Sequence, residues 1–203
     1  MWFPSTRGTP LGQAIYALCK LWGLVLPLWW WLKLEKQPLS LSPARKGGFA
    51  VATGIGLLMG LTIYGTWWFF GADLIDVESL REKVAGNGLD TPQKYLVYVT
   101  FLSLVNSLLE EYVWRWFVFR QCEQLVSTKM AMVLSALFFT IHHIFALKAQ
   151  MNGTVTLLGS VGVFSAGLIW CWCYGRYRSI WPGYVCHLLA DAAIFLIGWK
   201  IIF

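Results

Sequence analysis

Apolar residues run through this chain in six long blocks separated by short polar segments. The blocks are about Leu11 to Leu32, Gly47 to Phe70, Gln93 to Phe119, Lys129 to Leu147, Thr154 to Tyr174 and Ile180 to Ile197. Each reaches the roughly 18–20 residues an α-helix needs to cross the hydrocarbon core of a bilayer. Thr91-Pro92 opens the third block as an N-cap followed by a first-turn proline. Gly54, Gly56 and Gly60 predict close helix packing along the second. The 71–91 stretch is different: Asp73, Asp76, Glu78, Arg81, Glu82, Lys83 and Asp90 make it the most charged part of the chain. Within it Leu74, Val77, Leu80 and Val84 recur at three- and four-residue steps. That period predicts an amphipathic helix at the membrane interface, a solvated helical loop being the other reading. Asn87-Gly88 predicts a turn after it. The fold class expected is all-α: a polytopic membrane bundle of about six transmembrane helices plus one interfacial amphipathic helix. Its N-terminal pair of transmembrane helices and the interfacial helix occupy 1–92 and the core 93–203, in one compact membrane domain.

Composition excludes a soluble globular chain. Charged residues make up 13% of the sequence, against about 25% in soluble domains, and the mean hydropathy is +0.59. Several of the thirteen tryptophans end apolar runs, as at Trp29-Trp30-Trp31 and Trp67-Trp68, where indole rings meet the membrane interface. The net charge of +6 would raise nucleic-acid binding in a soluble protein. Here the basic residues sit in loops beside apolar runs, so membrane lipids are the expected partners and nucleic acid is not. Lys33, Lys36, Arg45 and Lys46 lie in one such loop, Arg120 and Lys129 in a second, and Arg176 and Arg178 in a third. Six alternating spans put these loops on one side, taken as cytoplasmic by the positive-inside rule. The five cysteines include no C-x-x-C pair and read as small apolar packing residues. The first block lacks a small-residue cleavage site and contains Lys20, so it is expected to remain a spanning helix.

Three blocks carry ionisable residues that a bilayer rejects at a cost of a few kcal/mol each. They are Glu110, Glu111 and Arg115 in the third, His142 and His143 in the fourth, and His187 and Asp191 in the sixth. Such groups persist where they face one another or a wet cavity. At about 1.5 Å per residue, Glu110 lies roughly 15 Å in from Arg120, and His143 roughly 21 Å in from Lys129. On the same scale His187 and Asp191 lie roughly 14 and 20 Å in from Arg178. Similar depths on three helices point to one shared site opening toward the cytoplasmic half. His187 and Asp191 share a helix face, as do Phe139 and His143, and Glu111 and Arg115 can pair.

The order E-E-x-x-x-R, F-x-x-x-H, H-x-x-x-D on successive membrane helices resembles the CPBP family. These are the CAAX proteases and bacteriocin-processing enzymes, including type II CAAX prenyl endopeptidases. The resemblance covers about residues 93–198. It matches Glu110, Glu111 and Arg115 to the first motif, Phe139 and His143 to the second, and His187 and Asp191 to the third. Phe138 and His142 satisfy the same F-x-x-x-H spacing, leaving an alternative register open. Asp191 stands where asparagine is commoner, and Trp116 where a glycine usually follows the arginine.

The resemblance implies an intramembrane endopeptidase acting on a membrane-associated peptide or lipidated protein, with prenylated CAAX tails as one substrate class. Glu110, helped by His143, would activate a water. His187 with Asp191 would orient or stabilise the tetrahedral intermediate, and Glu111, Arg115 and Phe139 would support them. No cofactor is expected. The alternative chemistry is a zinc ion held by Glu110, His143 and His187 with water as a fourth ligand, although the chain has no H-E-x-x-H. The alternative functions are an inactive scaffold or immunity protein of the same build and, after these, a transporter. A transporter's paired halves with broken helices are not visible.

Overall fold

The computed structural model describes residues 10–203, with every side chain in that range except those at 13, 16, 20 and 72. Residues 1–9 of the expected N-terminal division, and the side chain of Lys20, lie outside the described residues. The described residues form seven helices. These are α1 (Pro10–Leu34), α2 (Phe49–Leu74), α3 (Val77–Gly86), α4 (Pro92–Leu125), α5 (Thr128–Gln150), α6 (Gly153–Tyr177) and α7 (Ile180–Ile202). There is no strand among them, and all except α3 are long and apolar enough to cross a membrane. The expected all-α polytopic bundle is therefore the architecture of the chain.

Met1–Pro43 and Ala44–Phe203 separate as two compact units. In the first, α1 ends in a π-helical turn over Trp30–Leu34, and the Trp31 indole N–H donates to the Pro38 carbonyl at 2.7 Å. The second holds α2 to α7. Most of its helices begin on a polar side chain that accepts a free backbone N–H of the first turn. Asp76 caps α3 through Ser79, Thr91 caps α4 through Lys94, Ser127 caps α5 through Met130, Asn152 caps α6 through Val155 and Ser179 caps α7 through Trp181. Helix α2 instead starts after Gly48 at φ +99°, and a Cβ there would lie 2.6 Å from the Tyr177 ring. Only glycine suits both demands.

Several boundaries differ from the hydropathy reading. Helix α4 does not stop at Phe119 but continues through Arg120–Leu125, so Arg120 is helical and the loop to α5 is only Val126-Ser127. Backbone hydrogen bonding does not require apolar side chains, and Gln121, Glu123 and Gln124 continue the helix outside the apolar run. Helix α4 also contains π-helical stretches at Leu102–Asn106 and Glu111–Phe119. Such i→i+5 turns concentrate at functional sites.

Small residues let the helices approach. Against α7, a Cβ on Gly56 would meet the Cys186 Cα at 3.0 Å, and one on Gly60 would meet Ala193 at 3.5 Å, whereas Gly54 faces open space. Gly54 therefore has no part in this contact. A Cβ on Gly167 of α6 would meet Ala136 of α5 at 3.1 Å. Ala52, Phe139, Ala166, Trp170, Cys186 and Ala190 form the buried apolar cluster between these helices. Leu57, Leu61, Phe69, Leu157 and Leu196 are exposed on the outer faces, as residues facing lipid are.

Helix α3 is amphipathic as its period predicts. Leu80 is buried and packs with Ile197 and Ile201 of α7. Its basic residues reach the ends of the long helices. Arg81 Nε donates to the Ile201 carbonyl at 2.8 Å, and Lys83 Nζ to the Gln150 carbonyl at 2.9 Å. Both carbonyls belong to last helical turns, where unpaired acceptors and the negative end of the dipole favour cations.

Candidate active site

Glu110 and Glu111 are adjacent on α4 and reach different partners on the neighbouring helices. Glu110 Oε1 accepts a hydrogen bond from Asn106 Nδ2 at 2.9 Å. The same oxygen lies 3.9 Å from His143 Nε2, and Oε2 lies 3.7 Å from His187 Nε2. His187 Nε2 also faces Asp191 Oδ1 at 3.8 Å. These separations exceed a direct hydrogen bond and suit bridging through one small molecule such as water. The sequence-predicted Glu110, His143, His187 and Asp191 thus converge from α4, α5 and α7.

The histidine ring positions follow from their other nitrogens. His143 Nδ1 lies 3.0 Å from the Phe139 carbonyl oxygen. A carbonyl can only accept, so Nδ1 carries a hydrogen and Nε2 turns toward Glu110. His187 Nδ1 lies 3.1 Å from Glu111 Oε1, so it donates to that carboxylate and its Nε2 points into the site. Trp170 stacks on the His187 ring at 3.7 Å with planes 17° apart. The carboxylate sets the tilt of the imidazole and the indole sets its plane.

Glu111 and Arg115 are fully buried and form an ion pair at 3.2 Å. A carboxylate and a guanidinium in an apolar bundle each carry a large desolvation cost, which is lowered only by pairing. The guanidinium also lies 4.4 Å from the Phe139 ring centroid and 4.9 Å from that of Trp170, within cation–π range. Gly183 of α7 makes room for this carboxylate, because a Cβ there would lie 2.9 Å from Glu111 Oε2.

The two F-x-x-x-H registers separate cleanly. Phe139 is 1% exposed and its ring lies 4.2 Å from that of His143. Phe138 is 44% exposed, and His142 is exposed beside Trp114. The Phe139–His143 register reaches Glu110. Asp191 Oδ2 is 2.5 Å from Ser107 Oγ on α4.

Asn106, Ser107, Trp170 and Gly183 were not among the sequence candidates. Asn106-Ser107 carried a signal, two polar residues one turn ahead of Glu110-Glu111 in the same apolar block. Trp170 carried none, being one of thirteen tryptophans.

Zinc binds through donor atoms about 2.0–2.2 Å away. Among the described residues no three His, Cys, Asp or Glu side chains group so as to hold a metal ion. Glu110, His143 and His187 as placed do not make such a group.

The sequence profile described as Type II CAAX prenyl endopeptidase Rce1-like matches residues 92–193. No curated protein and no solved structure matches the chain. The match spans half of the chain and contains the whole cluster from Asn106 to Asp191. This multi-pass membrane protein therefore belongs to the type II CAAX prenyl endopeptidase Rce1-like family, a family of CAAX-type peptidases.

Proposed function

We propose that the protein is an intramembrane endopeptidase that cuts a prenylated, CAAX-type tail with a water activated by Glu110 and His143. The observation that carries this reading is the convergence of Glu110 on two imidazoles, with Oε1 3.9 Å from His143 Nε2 and Oε2 3.7 Å from His187 Nε2, separations that suit a bridging water. The water donates to Glu110 and to the His143 Nε2 lone pair, which aims its oxygen at the scissile carbonyl carbon. As the C–O bond forms, Glu110 takes the water proton. The carbonyl oxygen becomes an oxyanion, and His187, protonated at both nitrogens, donates to it from Nε2 while Glu111 holds Nδ1. Glu110 then passes its proton to the leaving amine as the C–N bond breaks. A carboxylic acid and an amine are released, and Glu110 returns to carboxylate.

Asp191 faces the same His187 nitrogen. A carboxylate in this place supports a histidine donor, whereas the commoner asparagine would itself supply an N–H. The basic loops support a site mouth on the cytoplasmic side under the positive-inside rule, where a prenylated tail would approach from the membrane surface.

The test is cleavage of farnesylated and unprenylated CAAX peptides by purified protein, beside Glu110→Gln and with a chelator present. Cleavage of the farnesylated peptide, lost by at least about a thousandfold in Glu110→Gln (the product of base catalysis and water orientation) and insensitive to chelator, is the expected result. Undiminished cleavage by Glu110→Gln overturns the base assignment. Cleavage abolished by chelator and restored by Zn²⁺ replaces it with a metal site. Equal cleavage of the unprenylated peptide removes the prenyl requirement.

A further inference from the structure

We propose that Asn106 and Ser107 are a positioning pair that aims the two carboxylates flanking His187, a proposal that rests on the reading of Glu110 as the base. Each residue binds one oxygen of one carboxylate, and the other oxygen of that carboxylate faces His187. Asn106 Nδ2 holds Glu110 Oε1 at 2.9 Å, and Ser107 Oγ holds Asp191 Oδ2 at 2.5 Å. The remaining oxygens, Glu110 Oε2 and Asp191 Oδ1, face the same His187 Nε2 at 3.7 and 3.8 Å. Two neighbouring residues of one helix thus set both sides of the reacting centre.

The contacts between α4 and α7 form a ladder. Glu111 meets His187, and four residues away on each helix Ser107 meets Asp191. The steps run in opposite directions along the two helices, as antiparallel packing requires, and the i,i+4 spacing keeps both rungs on one face. The π-helical turn over Leu102–Asn106 ends at this pair. Ser107 is 1% exposed. Its hydroxyl also lies 3.0 Å from the Leu102 carbonyl, which would satisfy it locally without α7. The two acceptors compete for one hydroxyl hydrogen, and the shorter separation, 2.5 Å, is the one to Asp191, a residue of the site.

The experiment uses the full-length protein in detergent and a fluorogenic farnesylated CAAX peptide. Ser107→Ala should lower kcat by about a hundredfold, the cost of misplacing a reacting group by about 1 Å, with KM within about twofold. Ser107→Thr should restore most of it, and Asn106→Ala should lose kcat in the same way. In an Asp191→Ala background Ser107→Ala should add no further loss, because the carboxylate it aims is gone. Independent losses in the two backgrounds, or an undiminished Ser107→Ala beside an inactive Glu110→Gln, overturn this proposal alone. A Glu110→Gln variant as active as wild type overturns the active-site reading and the proposal with it. A second measurement needs no turnover. The infrared carboxyl band that Asp191→Asn removes should shift in Ser107→Ala and stay in place in Ser107→Thr. An unshifted band overturns the contact itself.

Discussion

Arg115 shows how unevenly a buried ion pair responds to loss of its members. Replacing it with methionine keeps much of the volume but leaves Glu111 enclosed without the guanidinium, with His187 as its remaining partner. Loss of one partner from a buried pair costs about 3–5 kcal/mol, so Arg115→Met should lower the thermal midpoint in detergent sharply, and Glu111→Gln less. Gly183→Ala works on the same carboxylate from the other side. Its new methyl must displace Glu111 Oε2, now 2.9 Å from that point, and this tilts His187. The expected result is a kcat loss of about tenfold or more with the fold retained, read by cleavage beside a melting curve. Trp170→Phe should keep activity better than Trp170→Leu, because a ring still stacks on His187. Equal rates for the two would show that only volume matters there. Glu110, His143, His187 and Asp191 were legible because charge in an apolar block is conspicuous. Trp170 and Gly183 were not, since an aromatic ring and a bare backbone gain their meaning from the helix opposite.

At the scale of the helix, caps and apolar length were readable while packing partners and π turns were not. Thr91-Pro92 and Asn87-Gly88 stand where the sequence puts them, at the N-cap of α4 and the end of α3. The three glycines of α2 look alike in sequence and differ in place. Gly56 presses on the α7 backbone and Gly54 faces open space, a distinction that depends on the crossing point of α2 and α7. Gly56→Ala should destabilise by about 1–3 kcal/mol, the usual cost of overpacking, while Gly54→Ala should be neutral or slightly stabilising through helix propensity. Thermal unfolding of the two variants side by side checks this. The π-helical stretches of α4 leave no mark in a hydropathy pattern, because one extra residue per turn changes which side chains align without changing how apolar they are.

For the whole molecule, the alternation of spans puts Ser127 and Asn87 on opposite membrane faces. In a background with Cys19 and Cys122 replaced by serine, a cysteine at Ser127 should react with an impermeant maleimide from the cytoplasmic side. One at Asn87 should react from the opposite side. The reverse pattern would turn the site mouth away from the cytoplasm. Helix α3 has a mechanical consequence for this arrangement. Through Arg81 and Lys83 it grips the terminal carbonyls of α7 and α5, the two helices that carry His187 and His143. Both are fastened to one short crossbar at the same end. Like the arms of tongs joined at the rivet, they are held together at this end, opposite the basic loops.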